Sequence, residues 1–203
     1  MARISSRQQE IIMEAARLFR QKGYLATSIR DISDSLNITS AALYYHFKNK
    51  EEILAEVMRL SLQRLHEAVV TAVDEEETPW AQTRAALRTH LRISLEHQDF
   101  AIVLLKDLRH LTPEWREEVV AARDAYEDMW QGMLAASQQA GIFRPEVDLD
   151  LLRLIRLRAA NLVVTWYKPT GKYTPEQIAD AFLDYISQGV LLEDIPFPSF
   201  LSS

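Results

Sequence analysis

The chain has no cysteine, only five glycines and only seven prolines among its 203 residues. The missing cysteine excludes disulfides, thiolate metal sites and cysteine nucleophiles together, and fits a reducing compartment. With glycine and proline scarce, and no period-two alternation bounded by hairpin turns, strands have almost nowhere to form. No apolar run approaches the roughly 18 to 20 residues that cross a bilayer. The first thirty residues lack a basic stretch followed by an apolar one and a small-residue cleavage site. The expectation is a cytoplasmic protein without a membrane partner. Catalytic patterns are also missing: there is no His-Glu-x-x-His or other metal spacing, no phosphate-cradling glycine loop and no Gly-x-Ser-x-Gly elbow. Neither an enzyme nor a bound cofactor or metal is expected.

What is present is an ordinary globular composition, 48% hydrophobic and 26% charged, which excludes a wholly disordered or fibrous chain. The net charge of −6 conceals segregation. Residues 1–50 carry more Lys and Arg than Asp and Glu, and the remainder is strongly acidic. A small basic module on an acidic body points the first fifty residues at a polyanion.

Apolar positions recur at helical spacing throughout, so the fold class is all-α. Ile11, Ile12, Ala15, Leu18 and Phe19 mark a first helix opening at Ser5 or Ser6 and stopping at Gly23. Thr27 is placed to cap a short second helix with Ile29, Ile32 and Leu36 inward. Asn37 follows where a left-handed residue is wanted, and Thr39 caps a third helix running through Phe47. A long helix from Lys50 to Val73 buries Ile53, Leu54, Val57, Leu60, Leu65 and Val69. Further helices are expected near 80–97 and 99–110, from Pro113 to Ala140, from Asp148 to Tyr167 and from Pro175 to Leu191. The Thr-Pro pairs at 78, 112 and 174 mark three of these starts. The count is nine, divided into domains at 1–49 and 50–203.

Two short helices joined by a tight turn form a helix-turn-helix, whose second helix enters the major groove of DNA. Thr39, Ser40, Ala41 and Ala42 occupy its first turn, where small side chains allow close approach to the bases; Tyr44, Tyr45 and His46 follow. Leu43 and Phe47 lie on the inward face. Thr27, Arg30, Lys48 and Lys50 are placed to meet phosphates.

The segment Thr27-Ser28-Ile29-Arg30-Asp31-Ile32-Ser33, with Ala42-Leu43-Tyr44-Tyr45-His46-Phe47-Lys48-Asn49-Lys50-Glu51, resembles the DNA-binding domain of TetR-family transcriptional repressors over residues 11–57. The resemblance implies a nine-helix homodimer. It implies an N-terminal three-helix reader of a palindromic operator, a C-terminal helical domain with a small-molecule pocket, and dimerisation through the last two helices. Two positions depart from the family pattern: Asn37 stands at the usual turn glycine and Ser33 at the usual alanine before the turn.

The remaining 150 or so residues hold all four tryptophans. Phe100, Leu104, Tyr126, Met129, Trp130 and Met133 form a candidate apolar pocket wall, the alternative being plain core. Arg153, Arg156 and Arg158 sit among aliphatic residues and want anionic partners. Those partners are either acids such as Asp107, Asp124 and Asp128, or a ligand's phosphates and carboxylate met together with Arg109, Arg116 or Arg123. The stretch from Trp166 to Pro175, with Gly189-Val190, resembles the TetR subgroup that senses acyl-coenzyme A thioesters of fatty-acid, aromatic-acid or steroid catabolism. The expected function is thus a repressor released by an apolar effector of acyl-CoA type. Its rivals are a ligand-independent DNA-binding dimer, a regulator sensing a hydrophobic drug or other non-CoA ligand, and an enzyme on a helical scaffold.

Overall fold

The computed structural model describes residues 5–190. Among them are nine α-helices, a single 3-10 turn and no strand: α1 Ser6–Lys22, α2 Ile29–Ser35, α3 Ser40–His46, α4 Lys50–Asp74, α5 Pro79–Glu96, α6 Gln98–Asp107, the turn Leu108–His110, α7 Pro113–Gln139, α8 Leu149–Trp166 and α9 Pro175–Val190. The expected end of the last helix at Leu191 lies outside the described residues.

Local chemistry sets most of these boundaries. The Ser5 hydroxyl accepts from the Gln8 amide and opens α1; Gly23, at φ 86°, closes it. Thr39 accepts from Ala42, Asn49 from Glu52, Thr78 from Ala81 and Asp148 from Leu151, each satisfying a first-turn N–H that the helix leaves unpaired. Asn37 takes φ 53° in the turn between α2 and α3, a conformation asparagine tolerates better than most residues.

Two expected caps are corrected. Ser28, not Thr27, caps α2: it forms a reciprocal box with Asp31. The Thr27 hydroxyl instead points into the core and donates to the Gly23 carbonyl at 2.9 Å. At α7, Thr112 makes no side-chain cap. Its backbone N–H donates to Glu51 Oε1 at 2.5 Å, joining the start of α7 to the start of α4.

The seven-residue α2 and α3 are too short to stand alone. They pack through Ile32, Leu43 and Phe47 on Ile11, Ile12, Ala15 and Phe19 of α1 and on Ile53 and Val57 of α4. The same apolar cluster continues into Phe100 and Val103 of α6 and Val119 of α7, so the N-terminal helices share a core with what lies behind them. A second cluster joins Leu65 and Val69 of α4 to α5, α7, α8 and α9. The long α4 therefore runs through both cores.

Candidate functional site

The second helix of the helix-turn-helix presents two faces. Leu43 and Phe47 are buried, whereas Thr39, Ala41, Ala42, Tyr44 and Tyr45 are exposed; Tyr45 reaches 86%. Large aromatics on the surface of so short a helix add nothing to its core, which marks this face for contact with something outside the chain. The His46 ring meets Tyr45 edge-on at 5.1 Å. Arg30 and Lys48 flank the face and are exposed, Arg30 in an open pair with Asp34 at 3.4 Å. Ser40 is half-buried, its hydroxyl 3.1 Å from that of Ser33. The serine at the position where the family has alanine thus ties α2 to α3.

Thr27 and Lys50 are placed otherwise. The Thr27 side chain is buried and its hydroxyl engaged internally. Lys50 Nζ donates to the carbonyls of Tyr24 and Thr27 at 2.8 and 2.7 Å and lies 4.2 Å from the Tyr24 ring centroid. Burial lowers its pKa. Lys50 pins the turn between α1 and α2 to the start of α4, a role invisible in the sequence because its acceptors are backbone atoms far along the chain.

Behind the reader lies a cavity of about 190 Å³ between α4, α5, α6, α7 and α8. Leu62, Leu65, Leu104, Leu105, Leu157 and Val164 supply much of its wall. His90, Tyr126 and Asn161 interrupt the apolar lining: His90 Nδ1 is 2.9 Å from the Tyr126 hydroxyl and His90 Nε2 is 3.0 Å from Asn161 Oδ1. Burial and the positive charge of Arg156, against the Asn161 hydrogen bond, bring the His90 pKa down to about 4, so the ring is neutral at physiological pH. Burial likewise pushes the Tyr126 phenol up. Arg123, Glu127 and the exposed Arg158 complete the wall where it approaches the surface. Arg123 pairs with Asp124 at 3.2 Å and Glu127 at 3.7 Å, while Arg158 makes no ion pair among the described residues.

Of the residues expected at a ligand site, Leu104, Tyr126 and Arg123 meet around this cavity. Phe100 is buried in the core shared with the reader, under the guanidinium of Arg64 at 5.0 Å. Trp130 and Met133 are buried between α7 and its neighbours, with Met129 packed against them. Arg109 is exposed on the 3-10 turn. Arg153 pairs with Glu127. Arg156 is 1% exposed and lies over the Trp130 ring at 5.3 Å, its three guanidinium nitrogens without an acceptor. Burial lowers it to about 10, still charged at neutral pH. Trp166 is exposed at the end of α8 and lines a surface groove with Tyr173, Ile178 and Tyr185. Sequence reasoning gave His90 and Asn161 no place at a ligand site. The one signal available was a polar residue on the inward face of each helix.

α6 connects the two regions. Its Ala101, Leu104 and Leu105 line the cavity. Its first turn holds α1, where Arg20 donates to Asp99 at 2.8 Å and Gln98 at 2.9 Å, and holds the end of α8, where Gln98 Nε2 donates to the carbonyls of Val164 and Tyr167.

A basic helix-turn-helix on an all-helical body enclosing a cavity defines the class of DNA-binding regulators with a separate sensing domain. Comparison with known proteins makes the assignment specific. Residues 11–57 match the family of bacterial regulatory proteins, tetR family, and residues 76–190 match the tetracyclin repressor-like C-terminal domain; the chain belongs to the TetR family of transcriptional regulators. It is 29% identical over 194 residues to the HTH-type transcriptional repressor KstR2 of Mycobacterium tuberculosis, covering 95% of this chain and 96% of that one. Among solved structures, the TetR family regulator PfmR from Thermus thermophilus is 36% identical with a TM-score of 0.83, covering 91% of this chain and 99% of PfmR. AibR, solved in complex with isovaleryl coenzyme A and operator DNA, is 30% identical with a TM-score of 0.82, covering 89% of this chain and 97% of AibR.

Proposed function

We propose that the protein is a cytoplasmic homodimeric repressor that holds a palindromic operator with α3 of each protomer and lets go when a short acyl-CoA thioester enters the cavity. The cavity carries this reading. An apolar protein cavity of about 150 Å³ takes benzene, so a space of about 190 Å³ suits a short branched or single-ring acyl group rather than a fused-ring steroid acid. Arg123 and Arg158, where the wall nears the surface, supply cations for the phosphates of a coenzyme A left outside. AibR supports the reading by its isovaleryl-CoA complex.

In this reading Tyr44, Tyr45, Ala41 and Ala42 meet base edges, while Thr39, Arg30 and Lys48 fix the register on phosphates. Lys50 and Thr27 act indirectly, by holding the reader in shape. A thioester spreading Leu104 and Leu105 from α4 moves α6, and through Arg20 moves α1. Release is then a population shift, set by the thioester's preference for the conformation with misaligned readers, commonly about 1 to 3 kcal/mol of coupling.

The test is fluorescence anisotropy of the protein on DNA upstream of its own gene, repeated with CoA thioesters and the matching free acids. Specific binding relieved by at least one short acyl-CoA thioester and not by the matching free acid is the expected result. Binding indifferent to every thioester would overturn the effector while leaving the DNA reader intact.

A further inference from the structure

The polar groups inside the cavity outnumber the oxygens of a plain acyl thioester. Their hydrogen-bond directions follow from elementary chemistry. Asn161 Oδ1 can only accept, so the His90 nitrogen facing it at 3.0 Å, Nε2, carries the proton. Nδ1 is then bare, and the Tyr126 hydroxyl at 2.9 Å donates to it. Once this relay is made, the Asn161 amide N–H₂ has no protein partner among the described residues. The hydroxyl of Ser94, one helical turn beyond His90 on α5, is also without one. Both residues line the cavity, and Ser94 is 7% exposed. Two donors in a narrow apolar space are costly to leave unmet when a ligand displaces the water on them.

The two donors lie at different levels. Asn161 is one turn along α8 from the exposed Arg158, and Ser94 is one turn along α5 from His90, which holds Asn161. With coenzyme A at Arg158, Asn161, one turn away on the same helix, is the donor placed for the thioester carbonyl. The other needs an oxygen further along the chain.

We infer that the acyl group of the effector carries its own oxygen, a hydroxyl or keto group close to the thioester, and that Ser94 selects for it while Asn161 meets the thioester carbonyl. This rests on the acyl-CoA reading above and narrows it from any short acyl thioester to an oxygenated one. A site built to hydrogen-bond an oxygen discriminates strongly against the analogue lacking it, because its own polar groups are left unpaired. A saturated hydrocarbon chain of equal length is therefore the wrong ligand even though it fits. The neutral state of His90 agrees with an uncharged oxygen rather than a second carboxylate.

Isothermal titration calorimetry on the full-length protein compares butyryl-CoA, 3-hydroxybutyryl-CoA and acetoacetyl-CoA, with coenzyme A alone as the baseline. At least one oxygenated thioester is expected to bind roughly 10-fold or more tightly than butyryl-CoA. In Asn161→Leu all three thioesters are expected to weaken together, whereas in Ser94→Ala that preference falls to within about 3-fold. The second variant removes only a hydroxyl, so the test stands even where the first fails to fold. Butyryl-CoA binding as tightly as both oxygenated thioesters would overturn this inference and leave the acyl-CoA reading standing; thioesters binding no better than coenzyme A alone would overturn both.

Discussion

At the scale of single residues, Tyr45 on the outer face of α3 and Lys50 at the start of α4 are expected to act in opposite ways. Tyr45 is 86% exposed and meets the ring of His46 edge-on. Tyr45→Ala is expected to leave the urea-unfolding free energy within about 0.5 kcal/mol of the parent while weakening operator binding roughly tenfold or more. Lys50 gives two charge-assisted hydrogen bonds to backbone carbonyls beside an aromatic ring. Lys50→Met is expected to cost about 1 to 2 kcal/mol of stability, and to weaken operator binding through the displaced turn. Urea titration of the two variants beside anisotropy separates the roles; a stable Lys50→Met protein with lost DNA affinity would return this lysine to the phosphates. His90 adds a pH signature. Its folded pKa is near 4, below the 6.5 of an unconstrained ring, so the unfolded chain takes up the proton first as pH falls. The stability it contributes is complete above pH 6.5 and is lost between 6.5 and about 4, about 3 kcal/mol in total. The lowered carboxyls of Asp31 and Glu14 add their loss further down, below ordinary values of 3.8 and 4.5. Unfolding free energies from about pH 7 to about pH 5 should fall more steeply for the parent than for His90→Gln. Parallel slopes would show that the ring is not held neutral.

At the scale of elements, the sharpest test is the turn that makes the helix-turn-helix. Asn37 sits at φ 53°, where a side chain without asparagine's local hydrogen bonding costs about 1 to 2 kcal/mol. Asn37→Ala should lose about 1 kcal/mol, and Asn37→Gly should match or exceed the parent, both read by thermal or urea unfolding. Equal losses in the two variants would mean that the amide, not the backbone, is what the turn needs. This turn was legible in the sequence, as were all nine helices, because caps and helical periodicity are local signals. The Thr-Pro starts at 79, 113 and 175 fall where expected. What was not legible depends on distant partners. Thr27 and Ser28 both suit an N-cap, and the core beneath Thr27 together with the box that Ser28 makes with Asp31 decides between them. The cavity was harder still. Aromatic and methionine residues on α7 read as a pocket wall, yet Trp130 and Met133 fill the core, because a large apolar side chain at helical spacing looks the same in a full core as beside an empty one. Asn161 looked unremarkable until its pairing with a histidine 71 positions away was visible.

At the scale of the whole molecule, an exposed apolar stripe runs along α8 among the described residues. Leu151, Leu154, Ile155, Leu162 and Trp166 lie along this helix and are each 41–62% exposed. A stripe of that kind costs a solitary protein solubility and contributes nothing to its own core. It suits an isologous contact, in which the stripe meets its own copy across a two-fold axis and the two readers take up the symmetry of a palindrome. Ile155 is 62% exposed, so Ile155→Asp is expected to leave the fold of one chain intact, while the symmetry brings the new charge into the contact twice. Sedimentation equilibrium should then report a species near the 23.4 kDa of the chain where the parent reports twice that. Operator affinity should fall by about 100-fold or more, because the second reader no longer benefits from the effective concentration that the first provides. Affinity for an isolated half-site should stay as it was, since α3 lies in another part of the molecule. A variant that remains dimeric and holds the full operator would place the two-fold contact elsewhere, and the stripe on α8 would then need a different partner.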